Sequence, residues 1–187
     1  LNLITDSFPA LALGREKAEP GIMKVPPRSK HEPIINKSMM RHIAMQSIGL
    51  FVAVATSFIV ALMMTNNGST FFFSGALAEI GVKGVHPIDI ARTVAFATLI
   101  LAELFRAFAA RSESISVFKL GLFSNKMMNI AVGISLVLLV AVIYIPGVNT
   151  IFNNVALNPM AWLIILPLAI VPFAVSEISK LIKGAKK

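Results

Sequence analysis

Residues 42–64 read HIAMQSIGLFVAVATSFIVALMM and contain no Asp, Glu, Lys or Arg. An apolar stretch of ~20 residues is long enough to cross the hydrocarbon core of a bilayer as an α-helix. Within it, Gly49, Ala53 and Ser57 recur every four residues and therefore share one face of the helix. Small residues at this spacing let a second helix approach closely, so the stretch predicts a transmembrane helix that packs against another.

Three further apolar stretches predict transmembrane helices on the C-terminal side of this one. They cover residues 88–110, 127–145 and 159–182. Hydrophobic residues make up 56% of the chain, charged residues only 14%, and the mean hydropathy is +0.80. A soluble domain of this size is less apolar. We therefore expect an all-α polytopic membrane protein, in which residues 42–182 form a four-helix transmembrane bundle within the lipid bilayer.

Residues 1–14 form another apolar stretch, which is too short to cross a bilayer alone. We expect the C-terminal half of a transmembrane helix here, ending near Gly14, in a chain that is part of a longer protein. Residues 15–41 contain four prolines and seven Lys or Arg residues. This composition excludes a continuous helix and predicts a polar connection.

The distribution of basic residues predicts the orientation of the helices. Loops 15–41 and 111–126 and the tail 183–187 are rich in Lys and Arg, whereas loop 65–87 has one such residue and loop 148–158 has none. Basic loops are typical of the cytoplasmic side of a membrane. We therefore expect both basic loops and the C-terminus in the cytoplasm, and a plasma-membrane location if the protein is prokaryotic.

Asn2, Thr5 and Asp6 introduce an amide, a hydroxyl and a carboxylate into the first apolar stretch. Their i, i+3, i+4 spacing places them on one face of a helix, and their oxygen atoms suit Ca²⁺, Mg²⁺, Mn²⁺ or Na⁺. Pro9 also frees the carbonyl of Thr5, a further possible ligand. The pattern fits a helix start equally well, but the predicted orientation places these residues deep in the bilayer, where a cap has little use.

Other charged residues lie inside the predicted helices. Glu103 falls in the apolar run 99–105, where a charge costs about 3 kcal/mol or more, so it is a functional candidate. The alternative is that Glu103 pairs with Arg106 on the helix surface. We expect Glu177 and Lys180 to form a pair at the membrane interface rather than an ion site.

Several other chemistries are not supported by the sequence. The lack of cysteine excludes disulfides, thiolate metal sites and a cysteine nucleophile. The sequence has neither a Gly-rich phosphate-binding loop nor a His-Glu-x-x-His motif, and its three histidines lie singly in or beside predicted connections. The net charge of +8 lies mainly outside the apolar stretches, without the aromatic-lined basic groove that binds single-stranded nucleic acid, so we expect no nucleic-acid partner.

Taken in order, these motifs resemble the C-terminal transmembrane region of type II P-type ATPases, above all the Ca²⁺ pumps of the sarco/endoplasmic reticulum and of bacteria. The first part of the chain resembles the sixth transmembrane helix of that family, in Asn2-Leu3-Ile4-Thr5-Asp6 with Pro9-Ala10 and Leu13-Gly14. The next part resembles the loop that follows this helix, in Ile22-Met23 with Pro26-Pro27-Arg28. The resemblance to the eighth helix lies in Glu103-Leu104-Phe105 with Arg111-Ser112-Glu113. The resemblance to the tenth helix lies in Trp162-Leu163 and Ser176-Glu177-Ile178 with Lys180.

The resemblance implies the transport part of a P-type ATPase, a translocase that moves Ca²⁺ by alternating access. It implies that the transported metal ion is bound by residues at four positions: Asn2, Thr5, Asp6 and Glu103. ATP and Mg²⁺ would bind to cytoplasmic domains outside this chain, and preceding transmembrane helices would supply the other ion ligands. Ser7 replaces the Gly that many members have after the Asp, where the helix unwinds around the ion. This departure keeps pumps for Mn²⁺ or Na⁺/K⁺ open as alternatives.

Two hypotheses from other classes of protein remain at this point. A secondary transporter or channel could use the same polar residues, although the chain has no inverted repeat. A non-catalytic membrane scaffold would fit the last two helices but would leave Asp6 and Glu103 unexplained. An Asp-Lys-Thr-Gly-Thr motif encoded upstream would favour the pump, and a start codon directly before Leu1 would exclude it.

Overall fold

The structure is a computed structural model that describes residues 2–18, 23, 33, 35–66, 85–112 and 115–184. No strand occurs in these residues, and the predicted all-α fold is confirmed. The helices are α1 (Asn2–Leu13), α2 (Lys37–Asn66), α3 (Pro87–Ala109), α4 (Val117–Leu120), α5 (Lys126–Tyr144), α6 (Val148–Ile151) and α7 (Trp162–Gly184), with a 3₁₀ helix (Pro159–Ala161) before α7. Most of the predicted connections 15–41 and 65–87, and the end of the tail 183–187, lie outside the described residues.

Local side-chain chemistry accounts for where the long helices start. Asn36 Oδ1 accepts a hydrogen bond from Met39 N at 2.8 Å, so α2 begins before its apolar stretch. Pro87 lies in the first turn of α3, where its missing N–H would have had no helical partner. Asn125 Oδ1 accepts from the backbone N–H three residues on, at 3.0 Å, and caps α5.

The helix ends show an up-and-down arrangement. Lys180 Nζ, near the end of α7, donates to the carbonyl of Ala109 at the end of α3 over 2.6 Å. Trp162 Nε1, at the start of α7, donates to Tyr144 Oη at the end of α5 over 2.8 Å. Thus α3 and α7 end on the same side of the bundle, whereas α5 ends where α7 begins.

Helix α3 lies at the centre of the bundle. It packs against α1, α2, α5 and α7, and its buried residues extend from Ile90 to Ala109. The apolar ones from Ile90 to Leu104 belong to one hydrophobic core together with Ala61 of α2, Leu139 of α5 and Ile165 of α7. The helix that carries Glu103 is therefore surrounded mainly by protein.

Within the described residues, three helical segments are long and apolar enough to cross a membrane: Met39–Thr65, Lys126–Tyr144 and Pro159–Ile182. Helix α3 was predicted as a fourth span but does not reach this standard, because its charged residues are Asp89, Arg92, Glu103 and Arg106. Eleven of the 23 residues of this helix are buried in the bundle. The chain is a multi-pass membrane protein.

The small-residue face of α2 packs as predicted. Ala53 and Ser57 are buried, and a Cβ added at Gly49 would lie 3.9 Å from the Cα of Pro172 in α7. Helix α7 continues through Pro167 and Pro172. The backbone of α7 at Pro172 therefore lies close to the position on α2 that has no side chain.

Candidate functional site

Helix α1 is continuous through Thr5, Asp6 and Pro9 and has 12 residues. At about 1.5 Å per residue it is roughly 18 Å long, which is more than half of the hydrocarbon core. The helix is thus not unwound after Asp6 in this structure. Ser7 has a Cβ and less conformational freedom than Gly, so it favours the helix over an opened backbone.

The carbonyl of Thr5 has a protein partner. Ser135 Oγ in α5 donates to it at 3.1 Å, and both residues are fully buried. This hydroxyl replaces the N–H that Pro9 lacks, so the proline leaves no polar group exposed to apolar surroundings. The carbonyl that the sequence suggested as a freed ion ligand instead fastens α1 to α5.

Asp6 and Glu103 line one cleft between α1 and α3. The cleft has a volume of about 210 Å³, and its walls include Pro9 and Ala10 of α1 and Arg106 and Ala107 of α3. Asp6 is exposed, and the Glu103 side chain is only 15% exposed. Two carboxylates that are far apart in the sequence thus share one space within the helical bundle.

Arg106 is the counter-charge in this cleft. Its Nη2 lies 2.6 Å from Glu103 Oε2, so the ion pair that was the alternative interpretation of Glu103 is present. Two carboxylates and one guanidinium give these side chains one net negative charge. The guanidinium would oppose the binding of a divalent cation to Glu103, because like charges repel each other.

The other two predicted ligands are placed differently. Thr5 is buried on the side of α1 that contacts α5, and the side chain of Asn2 lies outside the described part of the structure. Among the described residues, no group of three or more His, Cys, Asp or Glu could hold a metal ion. These residues therefore supply only part of a coordination shell.

A second polar cluster joins the ends of α1 and α3. Arg111, two residues after α3, has a side chain only 1% exposed. All five of its N–H groups have acceptors at 2.6–3.1 Å: both carboxylate oxygens of Glu16, Ser124 Oγ, and the carbonyls of Gly121 and Leu122. The buried guanidinium is therefore fully satisfied.

Glu16 receives a third hydrogen bond within this cluster. Asn125 Nδ2 donates to Glu16 Oε2 at 2.7 Å and to the carbonyl of Ala12 in the last turn of α1 at 3.2 Å. Hydrogen bonds from Arg111 hold the pKa of Glu16 below its usual value of 4.5, although partial burial acts in the opposite direction. Glu16 is thus a carboxylate at neutral pH.

We expect the Glu16→Gln variant to be less stable than wild type near neutral pH but not in acid. The pKa of Glu16 is lower in the folded protein than the usual 4.5, so its pair with Arg111 stabilises the fold above that pH. The contribution is lost as the pH falls through the lower folded-state pKa. Melting temperatures of both proteins across this range test the effect. A difference that stays constant into acid would show that it does not come from the charge of Glu16.

Glu177 and Lys180 form the predicted pair, and the two side chains are buried within the protein. Lys180 Nζ lies 2.8 Å from Glu177 Oε1, and the two side chains are 4% and 5% exposed. Glu177 Oε2 also accepts from Ser116 Oγ at 2.7 Å and from Val117 N at 3.0 Å. The pair binds α7 to the start of α4.

Sequence reasoning missed the roles of three residues in these clusters. It read Arg111 as a loop charge, gave Asn125 no role and treated Ser135 as part of an uncharged scaffold helix. Ser135 is a lone hydroxyl within the apolar run of α5, and Arg111 directly follows α3. Both are local signals of a buried polar contact, but neither identifies the partner.

Comparison with known proteins gives a consistent result. A family model described as "Cation transporting ATPase, C-terminus" matches residues 1–182. Calcium-transporting ATPase 1 of Lactococcus lactis is 34% identical over 185 residues, which cover 98% of this chain and 18% of that protein. The calcium-transporting ATPase of Bacillus subtilis is 32% identical over 172 residues, 92% of this chain and 17% of the relative.

The similarity extends to an animal protein. Calcium-transporting ATPase type 2C member 1 of Mus musculus is 29% identical over 187 residues, which cover 100% of this chain and 18% of that relative. The chain therefore spans less than a fifth of the length of these three relatives.

Proposed function

Because this chain belongs to the family described as the C-terminus of cation transporting ATPases, we propose that it forms the transport region of an ATP-driven Ca²⁺ pump. The observation that carries this proposal is the cleft shared by Asp6 and Glu103 between two helices of a membrane bundle. The choice of Ca²⁺ is supported by the names of the relatives, which are calcium-transporting ATPases. The pump would export or sequester Ca²⁺ by alternating access.

We assign four positions to the ion site: Asn2, Thr5, Asp6 and Glu103. Asp6 and Glu103 offer carboxylate oxygens from opposite walls of the cleft, and oxygen is the ligand that Ca²⁺ prefers. Since Ca²⁺ takes roughly 6–8 oxygen ligands, these residues form one part of the site. Preceding transmembrane helices of the same protein would supply the rest.

In this proposal the guanidinium of Arg106 and the transported cation alternate as partners of Glu103. While it is paired with Glu103 at 2.6 Å, one carboxylate is neutralised without a metal ion. Arrival of Ca²⁺ would require the guanidinium to leave Glu103, and its return would favour release of the ion. An arginine at this position therefore tempers the affinity for the cation, as a transport site requires.

Energy for transport would come from outside these residues. In this proposal ATP and Mg²⁺ bind to cytoplasmic domains of the full-length protein, and phosphorylation there moves the helices of the ion site. The proposed cytoplasmic side is the one where α1 and α3 end. Arg15, Lys17 and Lys126 line a cleft at that end, which supports the orientation because basic residues are retained on the cytoplasmic side.

Ion-dependent ATP hydrolysis by the full-length protein tests the proposed function. Hydrolysis is measured with Ca²⁺, Mn²⁺, Na⁺ or K⁺ as the added cation, each with Mg²⁺ present. We expect stimulation by Ca²⁺ at lower concentrations than by any of the others. Stimulation by Na⁺ or K⁺ without Ca²⁺ would show that the transported ion is not Ca²⁺. A rate of hydrolysis that does not change with any of the four cations would exclude a cation pump of this kind.

We expect Glu103→Gln to weaken the apparent affinity for Ca²⁺. The amide keeps the shape of the side chain but loses its charge, and it leaves the Arg106 guanidinium in the cleft without its partner. A charge-assisted contact is worth about 1.5–3 kcal/mol, which corresponds to a loss of roughly 10–100-fold. The Ca²⁺ concentration for half-maximal ATP hydrolysis measures the change.

Asp89→Asn is the matched control, because this more exposed carboxylate lies at the opposite end of α3 and pairs with Arg92 at 3.5 Å. It is expected to leave the Ca²⁺ dependence unchanged. If Glu103→Gln behaves like this control, Glu103 is only the partner of Arg106 and not an ion ligand.

A further inference from the structure

Beyond the cleft between α1 and α3, an ion pair of Arg111 and Glu16 joins the two segments that follow these helices. Glu16 lies ten residues beyond Asp6, and Arg111 lies eight residues beyond Glu103. At about 1.5 Å per helical residue, the ion pair is roughly 12–15 Å from the two carboxylates along the chain. The two helices that carry Asp6 and Glu103 are thus joined at the same end of the bundle.

The contacts of this pair fix both partners in position. Arg111 donates to both oxygens of Glu16 at 2.8 and 2.9 Å, and a two-bond contact of this kind defines orientation as well as distance. The remaining guanidinium N–H groups are held by Ser124, Gly121 and Leu122. The end of α1 is therefore held against both the end of α3 and the start of α5.

On the other side, α3 is held by α7. Lys180 Nζ donates to the carbonyl of Ala109 at 2.6 Å, two residues before Arg111. Because α3 is also packed in the central core, it cannot easily shift toward α1. Ser135 and Asn125 hold α1 at the carbonyls of Thr5 and Ala12, so a change at Arg111 or Glu16 would act mainly on the position of α1 relative to α3.

We propose that Arg111 is a positioning residue for the cation site: by holding Glu16 it sets the separation of α1 and α3, and with it the spacing of Asp6 and Glu103. This role rests on the proposed function, since it concerns the same site. It assigns an effect on cation affinity to an ion pair that touches neither the cation nor its ligands. Residues that hold metal ligands in place commonly act on affinity in this way.

The first experiment measures the width of the cleft in the full-length protein. These 187 residues contain no cysteine, so Leu11→Cys and Ala110→Cys provide label sites on α1 and at the end of α3 once any reactive cysteines elsewhere are replaced. Leu11 is 70% exposed and Ala110 is exposed. Distances between two nitroxide labels should be narrowly distributed in this background, and Glu16→Gln or Arg111→Gln should shift or broaden them. An unchanged distribution would overturn the proposal.

The second experiment separates positioning from a merely structural role. In Glu16→Gln and Arg111→Gln, the Ca²⁺ concentration for half-maximal ATP hydrolysis should rise, because Asp6 and Glu103 are no longer held at one spacing. The double variant should show no further rise, because both changes break one pair. Lys119→Gln, an exposed cation in the same connection, is the control and should show no rise.

The outcomes distinguish this proposal from the proposed function. If the variants are less stable but keep the wild-type Ca²⁺ dependence, Arg111 supports the fold only and the proposal is wrong. If Arg111→Gln fails to fold, the Ca²⁺ dependence and label distances of Glu16→Gln alone test the proposal, since this change keeps the size of the side chain. If wild type shows no cation-stimulated hydrolysis, the pump function fails, and the label distances still decide whether Arg111 sets the width of the cleft.

Discussion

Asp6→Asn in the full-length protein is expected to abolish Ca²⁺-dependent phosphorylation from ATP. The described charges of the cleft are Asp6, Glu103 and Arg106, and the change removes its one net negative charge. A divalent cation would then enter a neutral space that already contains a guanidinium 2.6 Å from the remaining carboxylate. An uncompensated charge in a membrane costs about 3 kcal/mol or more, so the affinity should fall by at least about 100-fold.

Formation of the phosphorylated protein from labelled ATP, measured across a range of Ca²⁺ concentrations, gives the result directly. A melting temperature equal to that of wild type would show that the variant is folded and that only the cation response is lost. Asp89→Asn serves again as the control carboxylate on the other end of α3. Normal activation of the Asp6→Asn variant by Ca²⁺ would refute the role assigned to Asp6.

Lys180→Met is expected to destabilise the fold strongly, because it leaves a buried charge without its partner. Methionine fills much of the same space, but the Glu177 carboxylate, only 5% exposed, then lacks its counter-charge. The carbonyl of Ala109 also loses its donor. Breaking a buried ion pair by removing one partner costs about 3–5 kcal/mol, because the other charge stays buried and uncompensated.

The melting temperature of the detergent-solubilised protein measures this loss. The double variant Glu177→Gln with Lys180→Met should recover most of it, since no unpaired charge remains and the amide oxygen can still accept from Ser116 and Val117. Lys119→Met, at an exposed position, is the control for loss of a lysine. A double variant less stable than Lys180→Met would contradict the explanation by an unpaired charge.

Much of the fold could be predicted from the sequence because a bilayer restricts what a chain can do. An uncharged run such as residues 42–64 must be helical in lipid, where each backbone polar group needs an internal partner. The spacing of Gly49, Ala53 and Ser57 likewise predicted a close helix contact, and α7 supplies it at Pro172. The order of the motifs also indicated the family of P-type ATPases. The family model for the C-terminus of cation transporting ATPases matches residues 1–182 and confirms this prediction.

The candidate site was predictable only in part. The sequence identified Asp6 and Glu103 as carboxylates in apolar surroundings, and the structure places both in one cleft. It left open whether Glu103 pairs with Arg106, because a spacing of three residues permits the contact without requiring it. The two side chains form the pair in this structure, at 2.6 Å.

Contacts between distant segments were beyond the reach of the sequence. Ser135 and Thr5 form a hydrogen bond although they are 130 positions apart in the sequence. Arg111 and Glu16 form one across 95 positions. Periodicity and propensity describe one helix at a time, so they cannot say which helix faces which. The freed Thr5 carbonyl that Pro9 suggested as an ion ligand is another example, because a hydroxyl from α5 donates to it.

The sequence by itself determined that the chain is a helical membrane protein with two carboxylates, Asp6 and Glu103, in apolar runs. It could do so because burying charge and backbone in lipid is costly whatever the partners are. Only the tertiary structure decided which charges are neutralised and by what. Whether Glu103 is paired, whether the Thr5 carbonyl is engaged and whether Arg111 holds α1 all depend on the packing of α1, α3 and α5, because electrostatic and hydrogen-bond energies depend on distances of a few ångströms across the bundle.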